Sequence, residues 1–387
     1  MSVRVMIGAD LVPTTSNEQY FKDGDVETLV GSELLKELNQ ADFTIFNLEV
    51  PLTNQKQPIE KCGPNLITPT ETINGLKKIN PCFFTLANNH ILDQGKQGLD
   101  STMAILDYAE IAYAGAGMNL QEAQKPYIIT VQGIKIGIYC CAEHEFTIAT
   151  EATAGANPFD ALESLDHVAR LKETCDFVIT LYHGGKEHYR YPSPYLQKVC
   201  RRLVEKGADL VVCQHSHCIG AQEEWKGGRI IYGQGNFLFD DSDSEYWQTS
   251  LLINLILEND NGRITSDIHF CPLVKCENRV RIADKEKKDQ ILSEFEARSK
   301  RILAPKAVED EYSKFAESMV ANYLNAFSGA GNRSLWFRAV NKLSGRRYSA
   351  WLMRRRYGKQ ERNALWNFIE CEAHRELVLK GLRGDRK

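Results

Sequence analysis

The stretch Ala208-Asp209-Leu210-Val211-Val212-Cys213-Gln214-His215-Ser216-His217 joins a short apolar, β-rich run to two imidazoles two residues apart. Such a run predicts a buried strand. The pair at its carboxyl end is an arrangement of metal ligands, because neutral His nitrogens at that spacing reach neighbouring positions of one site. Four other clusters stand where a strand-like run stops: Gly8-Ala9-Asp10, Asn47-Leu48-Glu49, Asn88-Asn89-His90 and His183-Gly184-Gly185-Lys186-Glu187.

Outward from that stretch, the first two thirds of the chain alternate strand and helix signals. Val3–Gly8, Phe43–Asn47, Cys82–Leu86, Ile134–Cys140, Phe177–Tyr182 and Leu210–Cys213 are the short apolar runs. Glu33–Asn39, Leu99–Ala109, Leu165–Glu173 and Pro194–Lys206 carry helical spacing between them, which predicts an α/β fold with a largely parallel sheet. From Arg229 the texture changes. Arg229–Gly233, Thr249–Leu257 and Thr265–Pro272, with a turn at Asn259-Asp260-Asn261-Gly262, predict antiparallel pairing in a mixed or second sheet. Residues 284–327 read as helical with a break at Pro305, and Ser334–Leu382 as two basic amphipathic helices separated near Gly358.

With 43% hydrophobic and 25% charged residues among 387, the chain can bury a full core and is not a disordered scaffold. The amino-terminal sequence passes straight into a strand without a charged-then-apolar leader, and no apolar run approaches the length of about 18 that a membrane span needs. A cytoplasmic protein is expected. The 11 cysteines are scattered, often inside apolar runs, and none forms a CxxC pair, so they read as reduced core thiols rather than a zinc knuckle or redox dithiol. The net charge of -4 hides an asymmetry: Arg333–Lys387 holds 15 Lys and Arg against 5 Asp and Glu, leaving 32 against 46 for residues 1–332. A basic tail of this kind suits a polyanion, a membrane surface or the acidic body of its own chain. No nucleic-acid-binding module accompanies it, and nucleic acid is not expected as a partner.

Ligands of α/β sheets bind beyond the carboxyl ends of the strands, so the fold itself would gather Asp10, Glu49, Asn89, His90, His183, His215 and His217. Oxygen donors with three imidazoles suit Mn²⁺, Zn²⁺ or Fe²⁺, as one ion or as two sharing the Glu49 carboxylate. Such a pair polarises an electrophilic oxygen and lowers the pKa of bound water towards neutrality. Taken singly, each of these side chains also suits a cap or a buried hydrogen bond; the joint pattern points to one site. After the strand Ile134–Cys140, Glu143 or His144 is a candidate further ligand or general base, with a helix-capping acidic turn as the alternative. Lys186, Glu187 and Arg190 follow His183 as candidates for binding an anionic substrate, or as solvated surface charge. Gly233-Gln234-Gly235-Asn236-Phe237 lacks the spacing of a phosphate loop and reads as a strand-end turn that carries Asn236 towards the site. Lys61-Cys62-Gly63-Pro64-Asn65, the loop after the Glu49 motif, is a candidate to shape the substrate pocket, although a Gly-Pro pair more often marks a plain turn.

The stretches Asn47–Thr53, Leu86–Gly95, His183–Glu187, His215–His217 and Tyr232–Phe237 together resemble the CapA (poly-γ-glutamate capsule biosynthesis) family, which is related to the calcineurin-like metallophosphoesterases. The resemblance covers about residues 3–275. It implies a four-layer αββα sandwich, metallophosphoesterase-like, over residues 1–275; the residues beyond, 276–387, read from their own spacing as a C-terminal helical extension with a basic end. Carried over motif by motif, Asp10 and His217 would hold one divalent metal, Glu49 would bridge, and Asn89, His183 and His215 would hold the other. His90 matches the proton donor to the leaving group. Two departures stand out: Asp10-Leu11-Val12 replaces the usual Asp-x-His, leaving the first metal a ligand short, and Glu49 replaces Asp. The activity implied is metal-dependent hydrolysis of a phosphoester, or of a glutamyl or other amide bond, in a small-molecule, peptide or polyglutamate-like substrate. Two alternatives stay open: a peptide epimerase using Asp10, His90, Glu143 or His144 as acid and base, and a non-catalytic protein of capsule assembly.

Overall fold

Continuous apolar runs become strands here because both faces of each are buried. The computed structural model describes residues 2–240, 242–329, 335–345 and 347–383. In one six-stranded sheet the order is Gln222–Trp225, Gly228–Ile231, Leu210–Gln214, Phe177–His183, Ile134–Ala142 and Tyr127–Val131, the inner four strands parallel and each edge strand antiparallel to its neighbour. Along its Ile134–Ala142 strand, Ile136, Ile138 and Cys140 join the core shared with the other sheet. Tyr139 and Cys141 face the opposite way, packing with Val168 and Leu171 of the helix Ser164–Thr174 and with Leu196, Val199 and Leu203 of the helix Pro194–Glu205. Gly137 shares that second face, where an added Cβ would stand 2.7 Å from Leu171 Cγ, so the helix packs closer than any side chain would allow. The helix Pro194–Glu205 starts by rule: Ser193 Oγ accepts from Leu196 N at 3.0 Å and Pro194 occupies the first turn.

The eight-stranded sheet runs Arg279–Ile282, Arg263–Cys276, Thr249–Asp260, Ser2–Leu11, Phe43–Leu48, Phe83–Thr85 and Ala112–Ala114, with the short Asn236–Leu238 strand beside the end of Ser2–Leu11. Its outer helices contribute Leu29, Leu34, Leu38, Leu99 and Leu106 to the shared core. Helix, sheet, sheet and helix make the four-layer αββα sandwich.

The antiparallel hairpin Thr249–Asp260/Arg263–Cys276 forms as expected, with positive φ at both turn residues, Asn261 (52°) and Gly262 (92°). The segment 229–233 departs from expectation. Gly228–Ile231 joins the six-stranded sheet, parallel to Leu210–Gln214 and antiparallel to Gln222–Trp225. The Lys226-Gly227 turn that redirects it also has positive φ at both positions, which a lysine does not announce.

Contacts divide the chain into Met1–Glu309 and Asp310–Lys387. The sequence-based division after residue 275 falls inside a hairpin, because Arg279–Ile282 pairs with Arg263–Cys276 and the helix Lys285–Ile302 packs Ile291 and Phe295 against Leu251. Ser334 lies outside the described residues. Among the described residues beyond it there are four helices rather than two, Leu335–Leu343, Arg347–Arg356, Lys359–Glu370 and Glu372–Arg383, with breaks at Ser344-Gly345 and Cys371 besides Gly358. Among the described residues no helix is long and apolar enough to cross a membrane.

Candidate functional site

Parallel strands end together, and the two sheets end at a common edge. From the eight-stranded sheet come Asp10, Glu49 one residue past Leu48, and Asn89 and His90 in the loop after Phe83–Thr85. From the six-stranded sheet come His183, the last residue of its strand, and His215 and His217 just past Gln214. The turn after Gln214 curls tightly: His215 and His217 take φ of 90° and 54°, conformations that cost energy for side-chain-bearing residues and return both imidazoles to one place.

The donor atoms of Glu49, His183 and His215 lie within 4.8 Å of one another, and so do those of Asp10, Glu49 and His217. Glu49 belongs to both groups. His183 Nε2 stands 2.9 Å from Asn89 Oδ1 and 3.4 Å from Glu49 Oε1, while His217 Nδ1 is 2.8 Å from Asn236 Oδ1 and 3.6 Å from Asp10 Oδ2. Behind these side chains lies a lattice of amides. Asn88 Nδ2 donates to Asn47 Oδ1 (3.1 Å) and Leu48 O (2.9 Å), and Asn47 Nδ2 stands 2.7 Å from Asp10 Oδ1 and 3.2 Å from His183 Nδ1. Asn47 and Asn88 thereby fix the orientation of the groups in front of them, a role their sequence positions did not distinguish from that of neighbouring residues.

Burial and charge set the protonation. Burial, with the Glu49 charge beside it, pushes the Asp10 carboxyl up to about 6. Burial works upward on Glu49 too, but the charge of His183, 3.4 Å away, and then those of His217 and His90 outweigh it and hold Glu49 well below the usual carboxylate range. Burial works downward on His183, and Glu49 reverses it, so His183 is raised. Burial, reinforced by His183, keeps His215 well below the ordinary histidine range, hence neutral, the form that ligates.

The fit to a metal can be judged from buried atoms. Asp10 Oδ2, both oxygens of Glu49, His215 Nδ1 and Asn236 Nδ2 are buried without a hydrogen-bond partner among the described residues. Unpaired buried carboxylate oxygens are costly, and a divalent cation bound by oxygen and imidazole donors is the partner they suit. Val12, where the related pattern has His, is buried in the apolar core, so the Asp10 group keeps three such ligands with the Asn236 amide next to it.

His90 Nδ1 lies 2.5 Å from Asp93 Oδ2, which fixes the ring and leaves Nε2 for proton transfer. The carboxylate of Asp93 also pairs with Lys61, whose ammonium is 3.2 Å from His90 Nδ1. Lys61 belongs to the loop after the Glu49 motif; its side chain is only 3% exposed.

The structure brings Glu145, rather than Glu143 or His144, to the cluster: its Oε2 is 3.3 Å from Asn89 Nδ2 and its Oε1 3.8 Å from His215 Nε2. Glu143, raised by burial, lines with His144, Asp160 and Tyr195 a separate cleft of about 430 Å³. Successive side chains of an irregular segment point in different directions, and nothing in the sequence says which turns inward. Lys186 and Glu187 are half-buried on the segment beyond His183. Arg190 lies with its guanidinium 4.9 Å from the centre of the Tyr246 ring. The site also has an aromatic wall that sequence reasoning did not find: Trp247 and Phe239 lie 5.1 and 5.6 Å from the His217 ring, and Trp247 Nε1 donates to His188 Nε2 at 3.0 Å.

Fold and site together define a four-layer α/β sandwich with a candidate two-metal centre where the carboxyl ends of its sheets meet. Residues 5–241 match the family described as "Bacterial capsule synthesis protein PGA_cap", and the chain belongs to it. It is 28% identical over 240 residues to "Capsule biosynthesis protein CapA" of Bacillus anthracis, covering 60% of this chain and 58% of that protein. Over 236 residues it is 28% identical to "PGA biosynthesis protein CapA" of Bacillus subtilis, covering 59% and 62%. The match thus spans under two thirds of either relative. Among solved structures, a novel phosphatase from Mycoplasma pneumoniae superimposes with a TM-score of 0.43 at 15% identity, covering 72% of this chain and 95% of that one.

Proposed function

We propose that the chain is a metal-dependent hydrolase of a phosphoester, or of a glutamyl or other amide bond, in a polyglutamate-like or other anionic substrate, linked to capsule or polyglutamate metabolism. The observation that carries this reading is Glu49: one buried carboxylate, neither oxygen hydrogen-bonded among the described residues, shared by two groups of ligands. Asp10 and His217 would complete one position and Asn89, His183 and His215 the other, with Mn, Zn or Fe suiting the donors as one ion or two. The ions would supply Lewis acidity and activation of water. The chain's own part is orientation and proton delivery. Asn47 and Asn88 hold Asp10 and His183 in place, and His90, held by Asp93, protonates the leaving group. Metal analysis of the purified protein, with His215→Ala and Glu49→Ala alongside, tests this. Wild-type protein that stays metal-free and inactive after addition of Mn²⁺ or Zn²⁺ overturns it.

A second reading, a peptide epimerase, is favoured by the Asp10 carboxyl at about 6, a value suited to accepting and returning a proton near neutrality. Deuterium entering a substrate α-carbon without bond cleavage would select it over hydrolysis.

A further inference from the structure

Arg190 and Arg298 are held by consecutive carbonyls on the bend that follows His217. Arg298 Nε donates to Gly220 O at 2.8 Å, and Arg190 Nη1 to Ile219 O at 3.4 Å. With Lys287, Gln248 and Gln290 they line a cleft of about 310 Å³. Two carboxylates also line it, and neither satisfies the cations. Glu294 Oε2 is 3.8 Å from Arg298 Nη1 and Glu245 Oε1 4.0 Å from Arg190 Nη2, beyond hydrogen-bond reach, with side chains 53% and 76% exposed. Ion pairs that long and that wet contribute little. Burial and then the neighbouring Arg190 charge act downward on Arg298, and the opposing pull of Glu294 does not overcome them.

Two stacked side chains, Tyr246 and His188, stand between the cleft and the metal cluster. The Tyr246 ring lies 4.9 Å from the Arg190 guanidinium and stacks on His188 at 5.2 Å, and His188 lies 6.2 Å from His217. A guanidinium pair anchored through backbone carbonyls keeps its remaining N–H groups in a fixed fork, the geometry that receives a carboxylate or phosphate bidentately.

We propose that this cleft is an anion subsite for a carboxylate or phosphate group of the substrate distant from the bond that breaks, so that the site takes extended polyanions rather than small monoanions. The proposal rests on the reading of the metal cluster as the reacting centre, but it concerns binding and is measured as binding. The probes are a short γ-linked glutamate oligomer, the matching neutral glutamine oligomer and inorganic phosphate, titrated calorimetrically into the full chain. Wild type should bind the glutamate oligomer in preference to the glutamine one. Arg298→Gln should weaken that binding about tenfold, the scale of one charge-assisted bidentate contact. Glu294→Gln removes a competing carboxylate and should tighten it, a direction that no loss of folding imitates. Phosphate binding as tightly as the oligomer, and equally dependent on Arg298, would assign the subsite to phosphate groups; tighter oligomer binding assigns it to carboxylates. When His215→Ala is already present, adding Arg298→Gln should still weaken oligomer binding by the same factor, which separates failure of the metal reading from failure of the subsite. Absence of oligomer and phosphate binding in wild type, or equal affinities in wild type and Arg298→Gln, overturns the proposal.

Discussion

Glu49 Oε1 faces His183 Nε2 at 3.4 Å, across the line where the ends of two separate sheets meet. The contact joins a residue after the Phe43–Leu48 strand to one at the end of Phe177–His183, so its geometry reports the seating of one sheet on the other. It is also the contact that raises His183, because the Glu49 charge overcomes the burial of the imidazole.

Glu49→Gln keeps the shape of that side chain and removes its charge. Metal content at a fixed free-metal concentration should fall, with affinity lower by at least about a hundredfold, since even residues behind the ligands are worth about 10–100-fold. In the metal-free protein the His183 titration followed by NMR should move downward, because burial then acts without its counterweight. Retention of metal at the wild-type level would contradict the bridging role.

Asp10 ties stability and metal binding to pH in opposite directions. Its carboxyl titrates at about 6 in the fold against an ordinary 3.8, so the metal-free fold binds this proton more tightly than the unfolded chain does. Its contribution therefore destabilises the metal-free protein above pH 6 and vanishes as pH falls through that value towards 4. The full penalty is on the order of 3 kcal/mol. Asp10→Asn should raise the melting temperature of chelator-treated protein at about pH 7.5, with the two proteins converging near pH 4. Metal affinity should run the other way, falling up to about tenfold per unit below pH 6, because the ion competes with the proton.

The strand ends are legible in the sequence because apolar runs stop there, and parallel strands of one sheet stop on one side; Asp10, Glu49, Asn89, His183, His215 and His217 follow from that rule. Illegible are contributions from segments without periodicity. Lys61 meets Asp93 across 32 residues, and Trp247 reaches His217 from the single 3-10 turn Glu245–Trp247, too short to leave a period in the sequence. Glu145 cannot be told from Glu143 and His144 in the sequence, because only the path of the backbone decides which of three neighbouring side chains turns inward. Among the strands, the place of Gly228–Ile231 in the six-stranded sheet is not legible, because the Lys226-Gly227 turn that redirects it carries no strong turn signature.

Asn88 touches no candidate metal position directly, yet it holds Asn47, which holds Asp10 and His183. Asn88→Leu should lower metal affinity by about 10–100-fold, the range for groups behind a ligand shell. Isothermal titration with Mn²⁺ or Zn²⁺ checks this, and an affinity unchanged within about threefold would deny the amide lattice its orienting role.

Lys61, Asp93 and His90 separate stability from proton transfer. The side chains of Lys61 and Asp93 are 3% and 0% exposed, so Lys61→Met leaves a buried carboxylate without its ammonium, held, among the described residues, only by the His90 ring and the Leu66 amide. Breaking a buried pair from one side costs about 3–5 kcal/mol, so the melting temperature should drop sharply. Adding Asp93→Asn removes the stranded charge and should restore much of that loss. Turnover should not return with it, because the ring of His90 has lost the carboxylate that orients it. His90→Asn alone should leave metal content at the wild-type level while lowering kcat by about 10²–10⁴-fold, the usual scale of a positioned acid. If the double variant instead recovered activity in step with stability, the Asp93 contact would be part of the scaffold alone, and His90 would need no carboxylate to act.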